Sequence, residues 1–253
     1  MADQAGALAG KAALVTGGSR RVGKTIALKL AAAGAAVAVN ARSSRAEVDA
    51  VVAEIVAGGG TAMPAMADIT DAAANSAMVD ATVRTLGRLD IVVHCAVARQ
   101  HARLEELDLA GWRAALAVVL DGGFLTAKHA APHLARVGGT IIMIGGGTAF
   151  TGGTSPAVPT AKAGLVGLVR SLALALGPQG ITVNLVSPGR IESKEDSAER
   201  RQELARGRPD EQIPLRRAGT PSEVADVVVA LARPDFRYVT GQTVHVSGGF
   251  YMG

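Results

Sequence analysis

Aromatic side chains are scarce in this 253-residue chain: one Trp, two Tyr and four Phe. The core must therefore be assembled mainly from Ala, Val, Leu and Ile, which make up most of the 49% hydrophobic fraction. Cysteine is nearly absent. A single Cys95 excludes an internal disulfide and suits a reducing, cytoplasmic setting, where it reads as a small buried residue at a strand end. No dense Lys/Arg run accompanies the net charge of +4, so a nucleic-acid partner is not expected. No apolar stretch looks long and uninterrupted enough for a membrane span, and the N-terminus carries no signal-peptide pattern. No metal site is expected. Both tyrosines, Tyr238 and Tyr251, fall near the C-terminus, which leaves the middle of the chain without a phenol.

What is present alternates regularly. Apolar strand-like runs at residues 11–16, 36–40, 61–66, 90–94, 140–144, 181–186 and 243–246 are separated by stretches with helical spacing. Helices are expected through about residue 57, over 71–86, and near 222–232. A single long helix is expected over 109–135, of the kind that packs against a second subunit. Strict strand–helix alternation predicts an α/β fold with a parallel sheet covered on both faces. No linker or repeat divides the chain, so residues 1–253 read as one domain. Residues 193–212 (SKEDSAERRQELARGRPDEQ) are the most charged segment. They read as a solvated helix, as a lid over a substrate pocket, or as both.

The first strand runs into TGGSRRVG and then a helix. A dinucleotide pyrophosphate needs backbone amides, the positive end of a helix and no Cβ in its way, and Gly17 and Gly23 meet that need. The turn after the second strand, Asn40-Ala41-Arg42-Ser43, carries no acid to accept from ribose hydroxyls. Arg42 and Ser43, with Ser19 and Arg20, instead suit a 2′-phosphate, which predicts NADP(H) over NAD(H). Asp68 can cap the following helix.

This layout resembles the short-chain dehydrogenase/reductase family over about residues 10–253, with an ending (Thr240-Gly241-Gln242, Gly248-Gly249) similar to the bacterial 3-oxoacyl-carrier-protein reductase branch. The resemblance implies a single-domain Rossmann fold with a doubly wound, seven-stranded parallel sheet, commonly in a homotetramer. It places Gly17, Ser19, Arg20, Arg21, Val22 and Gly23 at the cofactor phosphates, Arg21 standing where the family's middle glycine is usual. It places Asp68 and Ile69 at the adenine, and Asn184, Pro188, Gly189, Ile191 and Ser193 along the nicotinamide.

The family's proton relay uses an Asn, a Ser, a Tyr and a Lys. Those positions here hold Val119, Gly146, Val158 and Lys162, so only the Lys remains. The usual Asn-Asn-Ala-Gly reads His94-Cys95-Ala96-Val97, loosely similar to enoyl reductases, whose Tyr lies seven before the Lys. That position is Ser155. Lys162 is expected to hold the nicotinamide ribose. The amides around Gly146 offer an oxyanion site or simply a turn, and nearby hydroxyls such as Ser155 orient a substrate oxygen but are too weakly acidic to protonate it unaided. His94 and His101 titrate in a useful range, yet each reads first as a structural histidine, His94 facing the cofactor rather than the substrate.

Val97, Val119, Phe150, Val158 and Ile191 are expected to line an apolar substrate pocket. Reduction of a conjugated or aromatic polyketide ketone, whose product anion is delocalised, tolerates the missing Tyr. A non-redox enzyme that keeps the cofactor as structure, such as a dehydratase or lyase, and an inactive binding subunit are the alternatives.

Overall fold

A computed structural model describes residues 6–98, 102–207 and 209–253. The elements alternate as expected. In order they are β1 (Ala12–Thr16), α1 (Arg21–Ala32), β2 (Ala36–Ala41), α2 (Arg45–Ala57), β3 (Ala62–Met66), α3 (Ala72–Leu86) and β4 (Ile91–His94). After these come α4 (Leu109–Leu116), α5 (Gly122–Ala135), β5 (Thr140–Ile144), α6 (Thr148–Thr151), α7 (Ala157–Leu176), β6 (Thr182–Pro188), α8 (Ala198–Gly207), α9 (Pro221–Ala232) and β7 (Thr243–Val246).

All seven strands pair in parallel in the order β3-β2-β1-β4-β5-β6-β7. The order reverses between β1 and β4, the switch point at which sheets of this kind bind ligands beyond the carboxyl ends of their strands. Pro64 sits in β3, an edge strand, where a missing N–H breaks no ladder. The β6 strand runs to Pro188, two residues past its expected end, because β7 continues to pair with it there.

Alternation along each strand divides the core. Ala13, Val15, Ile91 and Val93 face a layer with Ile26 and Leu30 of α1 and Val224 and Val228 of α9. Leu14, Val92, Val183 and Leu185 face the opposite layer with Leu134 of α5 and Leu165 and Val169 of α7. Caps set the helix starts. Asp71 accepts from Ala74 N at 2.8 Å, Asp108 accepts from Gly111 N at 2.7 Å, and Thr220 with Glu223 forms a reciprocal capping box over α9. Asp71, not Asp68, is therefore the cap of α3.

The long helix expected over 109–135 is interrupted. Ala117–Asp121 form a π-helical turn between α4 and α5. Such an inserted residue loosens the helical ladder and turns a carbonyl outward. Two helical stretches, Leu109–Ala135 and Ala157–Gln179, do have the length and apolarity of a membrane span, contrary to the sequence reading. Both are layers of the α/β core on one side, and their outer faces carry apolar residues such as Phe124 and Leu174, the latter 82% exposed.

At the amino ends of the strands, buried Asp90 gathers a clasp. It accepts from Ala12 N at 2.9 Å, from Arg88 through two bonds of 2.7 Å, and from Lys11 at 3.2 Å.

Candidate active site

The β1–α1 turn is shaped by close backbone approach. Gly17 has φ +64°, and a Cβ on it would lie 2.8 Å from Ala96 Cα. A Cβ on Gly23 would lie 2.1 Å from the Gly17 carbonyl oxygen. Bare backbone is obligatory at both, so no side chain of the turn screens the amides opening α1 from an anion, and one of them, Arg21 N, is taken by a carboxylate. Ser19 is nearly buried beneath the turn. Arg20 reaches Glu47 at 3.0 Å. Arg21 takes φ +50°, donates its N–H to Glu195 Oε2 at 2.9 Å and pairs through its guanidinium with Asp196. Arg42, with its side chain 71% exposed, stands 3.9 Å from Asp68, and exposed Ser43 is beside it. Asp68 accepts from Thr70 N at 3.0 Å and from Thr70 Oγ1 at 2.7 Å, and these bonds hold its carboxyl below the usual range.

Three expected cofactor contacts are otherwise engaged. The Asn40 side chain is buried and donates to Ala65 O at 2.8 Å and Ala67 O at 3.2 Å, tying β2 to β3. Ile69 is in the core against Gly122, where a Cβ would come within 2.7 Å of its Cδ1. Asn184 is buried, donating to Val239 O at 2.7 Å and accepting from Gln242 N at 3.0 Å. Pro188, Gly189, Ile191 and Ser193 do follow one another from the end of β6 over the crevice. Gly189 is pressed against Ser247, and Ile191 bridges to Gly219.

On the β5–α7 side, the carbonyls of Val186 and Pro188 accept from Gly145 N and Gly147 N, both at 2.8 Å. These bonds fix the turn on β6 and use the amides on either side of Gly146, which removes them from the expected oxyanion site. Side chains on a helix lean toward its N-terminus, so Lys162 reaches back from α7 over this turn. Its Nζ lies 2.8 Å from where a Gly146 Cβ would be. The ammonium thus fills the space in front of residue 146. Val158 lies one turn earlier on the same face of α7 and is half-buried, as is Ser155. Cys95 follows β4, and burial pushes its thiol up to about 11 against the pull of the Lys162 charge.

His94 is the structural histidine expected, but its ring is engaged between β1 and the π turn rather than turned to the cofactor. It is 1% exposed, with Nε2 3.0 Å from Val119 O in the π turn and Nδ1 3.0 Å from Thr16 Oγ1. A carbonyl only accepts, so Nε2 carries the proton. Thr16 Oγ1 accepts from Cys95 N at 3.2 Å and donates to Nδ1. Burial lowers the His94 pKa to about 4, which keeps the ring neutral. His94 is thus a strut between β1 and the π turn and does not face the cofactor crevice. This Thr16–His94–Val119 chain escaped sequence reading, although the lone His at a strand end was a signal. His101 lies outside the described residues.

Of the expected pocket residues, Val97 is 46% exposed while Val119 is core, so Val119 is no pocket wall. Phe150 of α6 joins His245 and Tyr251, with ring centroids 4.8 Å from each, and His245 and Tyr251 are 4.7 Å apart. The tail therefore folds back over the segment that follows Gly146. Residues 193–207 and 209–212 form a turn, the helix α8 and a 3₁₀ turn at Asp210–Gln212. Asp210 ties them to the stretch after β6 through Arg190, which also pairs with Glu192 at 3.2 Å. Among the described residues no group of three His, Cys, Asp or Glu is placed to hold a metal ion.

Residues 17–251 match the family model described as enoyl-(acyl carrier protein) reductase. A 3-oxoacyl-[acyl-carrier-protein] reductase of Staphylococcus aureus (strain N315) is 38% identical over 244 residues, covering 96% of this chain and 98% of the relative. A dehydrogenase/reductase from Sinorhizobium meliloti 1021 superposes with a TM-score of 0.89 at 38% identity, covering 97% of this chain and 96% of the other. A short-chain dehydrogenase from Burkholderia cenocepacia J2315, solved in complex with NADP, gives 0.88 at 34% identity, covering 96% and 98%. With its switch-point crevice, its Cβ-free turn and its lysine on α7, the chain belongs to the short-chain dehydrogenase/reductase family.

Proposed function

We propose that this protein is an NADPH-dependent ketoreductase of a conjugated or aromatic, polyketide-type ketone, working without the family's tyrosine acid. The observation that carries the reading is the Lys162 ammonium standing in the space of the absent serine side chain, one helical turn from a valine in the tyrosine's place.

The residues present fit a phosphorylated nicotinamide dinucleotide. The β1–α1 turn is a cradle that a Cβ at residue 17 or 23 would fill, and its bare amides suit a pyrophosphate. Arg42, Ser43 and Arg20 lie at the surface beside it and suit a 2′-phosphate. The relative complexed with NADP supports this. When bound, NADPH supplies the hydride equivalent for carbonyl reduction.

Lys162 has two tasks in this arrangement: its ammonium donates to ribose hydroxyls, and it places a positive charge beside the carbonyl oxygen on which negative charge builds. Ser155, half-buried at the start of α7, orients that oxygen. Val158, with Phe150, Val97 and Ile191, offers an apolar lining and no proton. A tyrosine-type acid is worth about two to four orders of magnitude in rate. A ketone whose reduced oxygen is stabilised by conjugation, or bonded to a neighbouring phenol, needs less of that help, and solvent completes the protonation. The apolar lining suits a flat, apolar ligand of this kind.

The apolar outer faces of α5 and α7, with Phe124 and Leu174, support a homotetramer, which light scattering on purified protein tests. The functional test is turnover of a hydroxyanthraquinone-type ketone with NADPH. A product heavier by two hydrogens is expected. NADPH binding with no reduction of any aromatic ketone, or a product formed by loss of water without NADPH consumption, overturns the proposal.

A further inference from the structure

Arg21 opens α1 with φ +50°, a backbone conformation that L side chains rarely adopt and that glycine takes without cost. Its N–H, one of the donors left unpaired at a helix start, points to Glu195 Oε2 at 2.9 Å, and its guanidinium pairs with Asp196. The two acids arrive as a preformed unit. Asp196, with a fully buried side chain, accepts from Ser193 N at 2.7 Å, and Ser193 Oγ accepts from Glu195 N at 3.2 Å. A turn of the 193–212 segment therefore lays two carboxylates on the helix end that the β1–α1 turn prepares for an anion.

We propose that Glu195 and Asp196 are an internal counter-ligand of the phosphate cradle: the cofactor's pyrophosphate must displace the Glu195 carboxylate, and cofactor binding thereby releases residues 193–196 from α1. This rests on the reading that the turn from Gly17 to Gly23 holds the pyrophosphate. A carboxylate and a pyrophosphate seek the same helix-start amides and the same positive end of α1. Two like charges within a few ångströms repel, so the site cannot hold both in one geometry. Once Asp196 is withdrawn, the Arg21 guanidinium is left beside the phosphates and exchanges one anionic partner for another. Glu195 and Asp196 thus set cofactor affinity from a segment 174 residues away in sequence, and they couple it to the position of the segment over the crevice.

Titration of the full chain with NADPH, followed by nucleotide fluorescence, tests this without turnover. Glu195→Gln, an exposed and conservative change, is expected to lower the NADPH dissociation constant roughly three- to tenfold at low salt. The gain should shrink as salt screens the repulsion. Asp196→Asn, which keeps an acceptor for Ser193 N, is expected to act in the same direction. Unchanged or weaker binding in both variants overturns the inference. Gly17→Ala tests the underlying reading, since its Cβ would meet Ala96 at 2.8 Å. If that variant melts like the wild type and still binds NADPH equally well, the reading and the inference fall together. If it loses NADPH but Glu195→Gln gains nothing, the inference alone falls. Should Gly17→Ala fail to fold, inorganic pyrophosphate serves in its place: displacing bound NADPH supports the cradle, and failing to do so overturns both.

Discussion

The Nζ of Lys162 and the α-carbon of Gly146 face each other so closely that a β-carbon at residue 146 would lie 2.8 Å from the nitrogen. The contact is with the far end of a flexible side chain, so a serine there would fold by pushing the ammonium aside. Gly146→Ser is accordingly expected to leave the melting temperature nearly unchanged and to lower kcat/KM for an aromatic ketone by about tenfold. Lys162→Met removes the charge altogether and is expected to cost about two to four orders of magnitude, with weaker NADPH binding. Steady-state kinetics and NADPH titration on both variants check this. Unchanged NADPH affinity in Lys162→Met would contradict the ribose contact.

Installing the missing pair gives the converse experiment. Gly146→Ser in the turn after β5, combined with Val158→Tyr one helical turn before Lys162 on α7, restores the serine and tyrosine around the lysine. The double variant is expected to gain activity of about a hundredfold or more on a simple alkyl ketone, measured as NADPH oxidation. No gain would mean that something other than the absent acid limits the reaction.

On the proposed reading, Arg42 selects the phosphorylated cofactor. Its guanidinium is exposed and only loosely paired with Asp68, at 3.9 Å, so it is available to a 2′-phosphate. Arg42→Ala is expected to weaken NADPH by roughly ten- to a hundredfold, the worth of a charge-assisted bond, and to leave NADH almost unaffected. Competitive titration with the two dinucleotides separates these outcomes.

His94 makes stability depend on pH. Its pKa is about 4 in the folded chain against 6.5 when unfolded, so between those values the unfolded state binds the extra proton. Stability contributed by the neutral ring is complete above about pH 6.5 and is lost as pH falls toward 4, by up to about 3 kcal/mol. Denaturant unfolding at pH 7, 5.5 and 4.5 should show this loss in the wild type. The slope should be shallower in His94→Asn, which keeps a donor for the π turn but does not titrate.

Much of the fold was legible because strands built from Ala, Val, Leu and Ile alternate with amphipathic helices, and their spacing does not depend on distant contacts. The interruption at Ala117–Asp121 was not. Its sequence, AVVLD, reads as ordinary helix, and the feature that answers the π turn is His94, 25 residues earlier. The site was legible as a set of positions and less so as side-chain directions. Gly17 and Gly23 shape a turn with no room for a Cβ and Lys162 projects from α7, because glycine geometry and a helix lysine are local facts. Asn40, Ile69 and Val119 occupy site positions by sequence, yet tertiary packing turns their side chains into the sheet or the core. The meeting of Arg21 with Glu195 and Asp196 joins parts of the chain that no local pattern connects.

The Asp90 clasp closes the amino-terminal edge of the sheet, while the β1–α1 turn and the turn after β5 hang from the opposite edge. On the proposed reading, a buried ionic clasp and the chemistry thus lie at opposite ends of the strands. An engineer can reinforce the pole at Lys11, Arg88 and Asp90 to obtain a hardier biocatalyst and leave the chemistry at the other pole as it is.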